Sequence, residues 1–132
     1  MLPLEDLTLS GLLARTARTY PTRPAVWFDG KYTTYAELER QVIECAGRLM
    51  TLGVRRGDRV AILSDPRPYG IAAMYAVEYI GAVAVMLNTS LNLLELLPLI
   101  EQTGAEYLLL GHADKGDGYF EAELDGAVLP EC

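Results

Sequence analysis

The spacing of hydrophobic positions along this chain changes near Arg59. Before that point, apolar residues recur at helical spacing over about residues 7–20 and again over about 35–52, which predicts two amphipathic helices. Two short β-prone runs lie between them and flank Asp29-Gly30, a dipeptide that type I′ turns favour because both central residues need a positive φ. The first part of the chain is therefore predicted to form two helices separated by a hairpin over residues 25–34.

The stretch KYTTYAELERQ predicts a well-defined start for the second helix. Thr34 can cap the helix through its hydroxyl, while the Glu37 carboxylate, three residues later, can accept a hydrogen bond from the N–H of Thr34. Gly53 supplies a left-handed stop after the last turn. We interpret Thr34 and Glu37 as structural, because capping accounts for both residue types and for their spacing.

From Arg59 onward, continuous apolar runs alternate with helical patterns. The runs RVAIL, AVAVML and EYLLL at residues 59–63, 82–87 and 106–110 are typical of parallel strands covered on both faces. One helix is expected over about 66–80, capped by Asp65, and another over 93–103, between Asn92 and Gly104, where Pro98 predicts a kink or a later start. Two such crossovers predict an α/β fold with N-terminal helices and a β-hairpin beside a parallel β-α-β-α-β unit.

Residues 1–111 are predicted to form one domain, followed at 112–132 by a polar, Gly-rich tail that we expect to be loosely ordered. The net charge of −7 argues against nucleic acid or an anionic membrane surface as a partner, since both require clustered Lys and Arg. Only Cys45 and Cys132 are present, which favours free thiols and a cytoplasmic protein. Neither a signal peptide nor a membrane span is predicted.

Several tempting features favour a structural interpretation. Gly30-Lys31 lacks the spacing of a phosphate-binding loop, and the acidic tail residues lack that of a calcium loop. His112, the only histidine, has no partner in a recognisable nucleophile motif. Three tyrosines could line an apolar ligand groove, but core positions are the favoured interpretation for all of them: Tyr69, Tyr75 and Tyr79.

The segment LNTSL, at residues 87–91, is the best binding candidate on physical grounds. It follows a predicted parallel strand, and ligands of open α/β sheets gather beyond the carboxyl ends of strands. A Rossmann-like nucleotide binder is a weaker hypothesis, because Ser64-Asp65-Pro66 follows RVAIL where G-x-G-x-x-G would be required.

Four segments in order resemble the N-terminal part of the adenylate-forming superfamily, which includes acyl-CoA synthetases, luciferases and peptide-synthetase adenylation domains. The segments are VWFDGKYTTYAELERQ, GVRRGDRVAIL, EYIGAVAVMLNTSL and LIEQTGAEYLLL. TTYAEL is similar to the family's first core motif and YIGAVAVMLN to its second, although Tyr79 and Met86 replace the usual lysine and proline. The form LNTSL is closer to the very-long-chain fatty-acyl-CoA synthetase and fatty-acid transport branch.

The resemblance implies that the chain is an N-terminal fragment of an AMP-forming acid–CoA ligase. The parent would use ATP and Mg to convert a carboxylic acid, expected to be fatty, into an acyl-adenylate, and would then transfer the acyl group to CoA. It could be peripheral to a membrane. The alternative is a stand-alone truncated homologue that acts as an interaction or dimerisation module.

No catalytic, cofactor-binding or metal-binding residue is assigned to this chain, because the motifs that supply them in the family are not found in it. The Ser/Thr/Gly-rich phosphate loop and the ribose-binding aspartate are among them. We therefore expect the chain alone to be inactive and to bind no cofactor tightly. We also expect it to self-associate through a strand edge and exposed apolar surface.

Overall fold

The computed structural model describes residues 7–64, 68–110 and 128–129. Helix α1 spans Leu9–Thr19 and is capped by Thr8, whose side chain accepts a hydrogen bond from the N–H of Gly11. It buries Leu13 and Ala17 against the rest of the protein. The predicted helix is confirmed. It begins at Leu9 and not at Leu7, because Thr8 is the N-cap and has an extended backbone.

The predicted hairpin is confirmed as strands β1, Pro24–Phe28, and β2, Lys31–Thr34, which pair antiparallel. Asp29 and Gly30 form the two-residue loop with φ of 49° and 75°, as a type I′ turn requires. The rings of Trp27 and Tyr32, directly opposite each other, have centroids 4.5 Å apart.

Helix α2 spans Tyr35–Thr51 and begins with the predicted capping box. The N–H of Glu37 donates to Thr34 Oγ1 at 3.2 Å, and the N–H of Thr34 donates to Glu37 Oε2 at 2.8 Å. The backbone hydrogen bond from Thr34, followed by the one from its side chain, lowers the pKa of Glu37 from its ordinary 4.5. The structural interpretation of both residues is therefore confirmed.

The second sheet is entirely parallel and has the order β4-β3-β5-β6. Its strands are β3, Arg59–Leu63; β4, Val83–Met86; β5, Tyr107–Leu110; and β6, Val128–Leu129. The first three confirm the predicted parallel unit. Strand β6 was not predicted: it lies in the sequence assigned to the tail, whose other residues, with His112, fall outside the described residues.

The crossover helices are α3, Pro68–Tyr79, and α4, Leu93–Thr103. The predicted start of α3 at Asp65 and Pro66 lies outside the described residues. Helix α4 begins and ends as predicted, with Asn92 as its cap and Gly104 left-handed at φ 69°. The alternative of a later start is wrong, because Pro98 lies inside the helix.

The core forms on both faces of the parallel sheet. On one face, Val60 and Ile62 pack with α1, α2 and α3, while on the other, Ala61 and Leu63 pack with Leu96 of α4. Successive residues of a strand point to opposite faces, so β3 contributes to both clusters. Helices α3 and α4 therefore cover opposite faces of the sheet.

The prediction that both thiols are free is wrong at Cys45. This side chain is buried in α2 and disulfide-bonded. Cys132 lies outside the described residues. Within the described part of the chain, no helix is both long enough and apolar enough to span a membrane.

Candidate functional site

The carboxyl ends of β3 and β4 lie side by side in the sheet. The chain leaves β3 toward α3 on one face and leaves the neighbouring β4 toward α4 on the other. Ligands of open α/β sheets bind beyond the carboxyl ends of the strands, in the crevice at the switch point, which the order β4-β3-β5 places between β3 and β5. We refer to Leu63, Ser64 and residues 86–91 as the carboxyl edge.

Backbone hydrogen bonds hold the start of the β4–α4 connection against β3. The N–H of Leu87 donates to the carbonyl of Ile62 at 2.9 Å, which extends the parallel ladder one residue past β4. Beyond Leu87 the chain turns at Asn88. The N–H of Ser90 donates to Asn88 Oδ1 at 2.9 Å, and the N–H of Leu91 donates to the carbonyl of Asn88 at 3.2 Å. An Asx turn therefore ends the strand.

A second capping box follows this turn and fixes the direction of α4. The N–H of Glu95 donates to Asn92 Oδ1 at 3.1 Å, and the N–H of Asn92 donates to Glu95 Oε2 at 2.9 Å. Within the turn before this cap, Thr89 is half-buried and Ser90 is exposed. The predicted segment LNTSL thus lies at the carboxyl end of β4, beside the end of β3, with its two hydroxyl residues in the turn that precedes the helix cap.

The described residues of the carboxyl edge are uncharged and half of them are apolar, while Asp65 and Arg67, which follow Ser64 in the sequence, lie outside the described residues. Its residues are Leu63, Ser64, Met86, Leu87, Asn88, Thr89, Ser90 and Leu91. They can offer hydroxyl, amide and apolar contacts to a ligand, but no general acid or base and no cation for a phosphate. In the described part of the chain, no group of His, Cys, Asp and Glu is arranged to hold a metal ion. The described residues of this edge therefore do not by themselves supply the charges that a magnesium–triphosphate group requires.

The amino end of the same sheet is different, because its polar groups are committed to one another. Arg59 Nη1 donates to the carbonyl of Thr103 at 2.7 Å and so satisfies the last turn of α4. Asp58 Oδ2 accepts from the N–H of Arg55 at 2.8 Å. The carbonyl of Gly81 accepts from the N–H of Gly57 at 2.9 Å.

The structure separates the three tyrosines that the sequence grouped together. Tyr75 packs against the core, which confirms its prediction. Tyr79 is 54% exposed, so its assignment to the core is wrong. It occupies the last turn of α3, beyond the buried pair Ala76 and Val77. The side chain of Tyr69 lies outside the described residues.

The sequence did not identify Ser64 as part of the crevice. Ser64 lies at the end of β3, beside β4. Runs of apolar residues predict that strands are present, but they do not predict the order of the strands in the sheet. Because β3 is central, with β4 and β5 on either side, its carboxyl end becomes part of the switch point.

Comparison with known proteins places this geometry in a family. The family model described as AMP-binding enzyme matches residues 13–128. A feruloyl-CoA synthase from Streptomyces sp is 41% identical over 95 residues, which cover 72% of this chain and 19% of the relative. Relatives of this kind confirm the resemblance at the level of acyl-CoA ligases, but the very-long-chain fatty-acyl branch is not confirmed.

Solved structures give the same answer. O-succinylbenzoate coenzyme A synthetase (MenE) from Bacillus subtilis, in complex with AMP, matches with a TM-score of 0.77 and 32% identity over 89% of this chain and 30% of its own. The N-terminal subdomain of NpsA from Klebsiella oxytoca matches with a TM-score of 0.79 and 28% identity over 92% of this chain and 31% of its own. The chain spans about a quarter of the length of curated relatives that it matches. It belongs to the AMP-binding enzyme family and has the fold of its N-terminal subdomain.

Proposed function

We propose that this chain is the N-terminal portion of an AMP-forming acid–CoA ligase. The parent uses ATP to convert a carboxylic acid into an acyl-adenylate and pyrophosphate, and then transfers the acyl group to CoA. The observation that carries the proposal is the family match over residues 13–128. It is supported by two relatives whose names describe the formation of CoA esters, feruloyl-CoA synthase and O-succinylbenzoate CoA synthetase.

The acid is the least constrained part of this proposal. The resemblance of LNTSL predicts a fatty acid, whereas these two relatives are named for ferulate and succinylbenzoate, both of which carry an aromatic ring. An aromatic carboxylate is therefore the first substrate class to test, with fatty acids as the second. The described part of the carboxyl edge is compatible with either one, because it offers apolar, hydroxyl and amide contacts.

ATP, Mg and CoA are the cofactors and co-substrate of the parent in this proposal. The described carboxyl edge contains no lysine or arginine, whereas a triphosphate requires positive charge or several backbone donors. We infer that other parts of the parent hold the phosphates, and that this chain contributes a scaffold and one wall of a binding crevice. By itself it catalyses nothing. We expect the parent to be cytoplasmic, with peripheral membrane association as a further possibility to test.

The test is acid-dependent exchange of pyrophosphate into ATP, measured on the 132-residue chain and on the longest natural reading frame that contains it. The panel of acids runs from acetate and ferulate to succinylbenzoate and long-chain fatty acids. We expect exchange with the longer product and none with the 132-residue chain. Exchange that tracks the purified 132-residue chain would overturn the assignment of the phosphate site to other parts of the parent.

The alternative function is a stand-alone interaction or dimerisation module. One observation favours it: Ile43 and Met50, one heptad apart on the same side of α2, are 50% and 61% exposed. A longest reading frame that is no longer than the present chain would support this alternative and would contradict the ligase proposal.

A further inference from the structure

The disulfide at Cys45 joins the core to a distant part of the sequence. Cys45 lies in the middle of α2, is 1% exposed and is disulfide-bonded. The chain contains one other cysteine, Cys132, which lies outside the described residues. A disulfide within this chain requires two cysteines, so the composition identifies Cys132 as the partner of Cys45. The bond therefore closes a long loop that contains β3, β4, β5 and β6.

Strand β6 lies close to the part of the core that contains Cys45. Leu129 pairs with Leu109 of β5 in the parallel register, and Leu109 belongs to the same buried cluster as Cys45. Cys132 follows Leu129 by three residues, a stretch of chain that reaches roughly 10 Å when it is extended. The Cα atoms of a disulfide lie about 5.5–6 Å apart. A bond between Cys45 and Cys132 is therefore compatible with the pairing of β6.

The described pairing of β6 is short. The strand has two residues, Val128 and Leu129, and lies at one edge of the described sheet, in the order β4-β3-β5-β6. Strands in globular proteins usually have about five or six residues, and short elements at an edge open more readily than central ones. A covalent bond three residues beyond β6 limits how far this segment can move from β5. The strand pairing and the disulfide therefore act together as one attachment.

We propose that the Cys45–Cys132 disulfide fixes β6 beside β5 under oxidising conditions and that a dithiol reductant releases β6. With the bond closed, β6 forms the edge of the described sheet. With the bond open, Cys45 remains in the core as an uncharged thiol, which packs as a small apolar side chain, and β6 separates from β5. Reduction thus changes one edge of the sheet and leaves the core intact.

The location proposed for the parent favours a reversible bond over a permanent one. Disulfides of cytoplasmic proteins are usually transient and redox-sensing, because the cytoplasm keeps thiols reduced. This step rests on the proposed location, whereas the experiments below measure the bond directly and do not depend on it.

Reduction of the bond is a two-electron exchange with a dithiol. One thiolate of the reductant attacks a sulfur of the protein disulfide and forms a mixed disulfide, while the other sulfur of the protein leaves as a thiolate. The second thiolate of the reductant then attacks the mixed disulfide, and the reductant leaves as a cyclic disulfide. The two sulfurs of the protein gain two electrons, together with the two protons that the dithiol loses, and become thiols. The reverse exchange with an oxidised dithiol closes the bond.

Burial of Cys45 decides which sulfur the reductant attacks. At 1% exposure, the sulfur of Cys45 is closed to a thiolate in solvent, so the attack falls on the sulfur of Cys132 and Cys45 is the leaving group. Cys45 packs among apolar residues such as Val42 and Leu49, where a charged sulfur is costly to bury. Reduction should therefore require local opening. We expect it to be at least about tenfold slower in the native chain than in the urea-unfolded chain, and equal rates would contradict this step.

A peptide map without reductant tests the pairing on the full 132-residue chain. Trypsin should release the peptides 41–48 and 116–132 joined by a disulfide, and dithiothreitol should separate them. Sedimentation of the same sample shows whether the bond lies within one copy. Two free thiols after purification in air, or a bond that joins only separate copies, would overturn the proposal.

NMR of the 15N-labelled chain tests the release of β6. Reduction should give the amides of Val128 and Leu129 the shifts and fast motions of a flexible segment, while amides of β3, such as those of Val60 and Ala61, keep their shifts. If Val128 and Leu129 remain rigid after complete reduction, β6 does not depend on the bond and the proposal is wrong. Shift changes throughout α2 and β3 would also contradict it, because the bond would then support the core.

Cys132→Ser is the matched variant. It removes the bond and keeps the buried Cys45, so it should show the released state of β6 without any reductant. Dithiothreitol should change nothing further in this variant, and equal responses of variant and wild type would assign the effect to the reagent and overturn the proposal. In reduced wild type, an oxidised dithiol should restore the strand signals of Val128 and Leu129. If these signals do not return, the attachment of β6 is not under redox control.

Discussion

The two ends of the parallel sheet are built from the same strands but use their polar groups in opposite ways. At the amino end, Asp58 and Arg59 are charged and each makes a hydrogen bond to backbone. At the carboxyl end, residues 86–91 are uncharged, and Thr89 and Ser90 lie in the turn that precedes the cap of α4. Polar groups at the first end connect elements of the fold, whereas the second end carries neutral hydroxyls in a turn.

This difference shows where substitutions should affect stability and where they should affect function. Groups that satisfy backbone atoms of another element cannot be removed without leaving a partner unsatisfied. Side chains that face a crevice can be removed with little effect on the fold. Substitutions at the amino end should therefore lower the free energy of unfolding, and those at the carboxyl end should mainly change ligand binding.

The largest effect is expected from Gly81→Ala at the amino end. Gly81 has φ of 81°, and a Cβ there would lie 2.9 Å from Cγ of Arg56, so the variant combines a left-handed backbone with a steric clash. We expect a loss of roughly 2–3 kcal/mol in the free energy of unfolding, by urea denaturation.

Gly57→Ala provides the matched control for this prediction. Gly57 has nearly the same φ, 86°, but a Cβ there would meet nothing within 4 Å. Gly57→Ala should lower the free energy of unfolding by about 1 kcal/mol, which is the cost of the left-handed backbone without a steric clash. Equal losses at the two glycines would show that the contact with Arg56 does not matter.

A moderate effect is expected from Arg59→Met, which keeps most of the aliphatic chain and removes the hydrogen bond to the carbonyl of Thr103. The loss should be about 1 kcal/mol, because the site is exposed and water can replace the donor in part. Thermal denaturation of this variant measures the loss of stability. Arg55→Met is the control, because Arg55 contacts Asp58 through its backbone N–H and not through its side chain. A loss no larger than that of the control would contradict the role of Arg59.

A smaller effect on stability is expected at the carboxyl end. Thr89→Ala and Ser90→Ala should each change the free energy of unfolding by less than about 0.5 kcal/mol. In the proposed parent, the same substitutions should lower kcat/KM for the acid by roughly tenfold, if the crevice binds the substrate. Large losses of stability with unchanged kinetics would reverse the comparison between the two ends.

The smallest effect is expected at Glu37, which belongs to neither end of the sheet. Hydrogen bonds from Thr34 lower its folded pKa below the ordinary 4.5, so its contribution to stability is present above that pH and is lost as the pH falls through the folded pKa. Glu37→Gln can still accept the hydrogen bond from Thr34 but does not titrate. The melting temperature of this variant should therefore fall less than that of wild type on acidification, while Glu101→Gln serves as an exposed control.

Local chemistry in the sequence predicted most of the fold. Both capping boxes, the Asp29-Gly30 turn and the three strands of the parallel unit were predicted from turn residues, cap spacing and apolar runs, all of which act over a few residues. Strand order, β6 and the exposure of Tyr79 were not, because they depend on contacts between elements distant in the chain. The same limit hid Ser64, which joins the crevice only because β3 is central.

The most direct test of the carboxyl edge as a binding surface is an NMR titration of the 15N-labelled chain with ferulate and succinylbenzoate. A scaffold that supplies one wall of a crevice should bind such acids weakly, with fast exchange and shifts concentrated in the amides of Ser64 and residues 87–91. Amides at the amino end, such as those of Asp58 and Glu106, should not move. Shifts concentrated at the amino end or on the hairpin, with the carboxyl edge unchanged at saturation, would contradict the account.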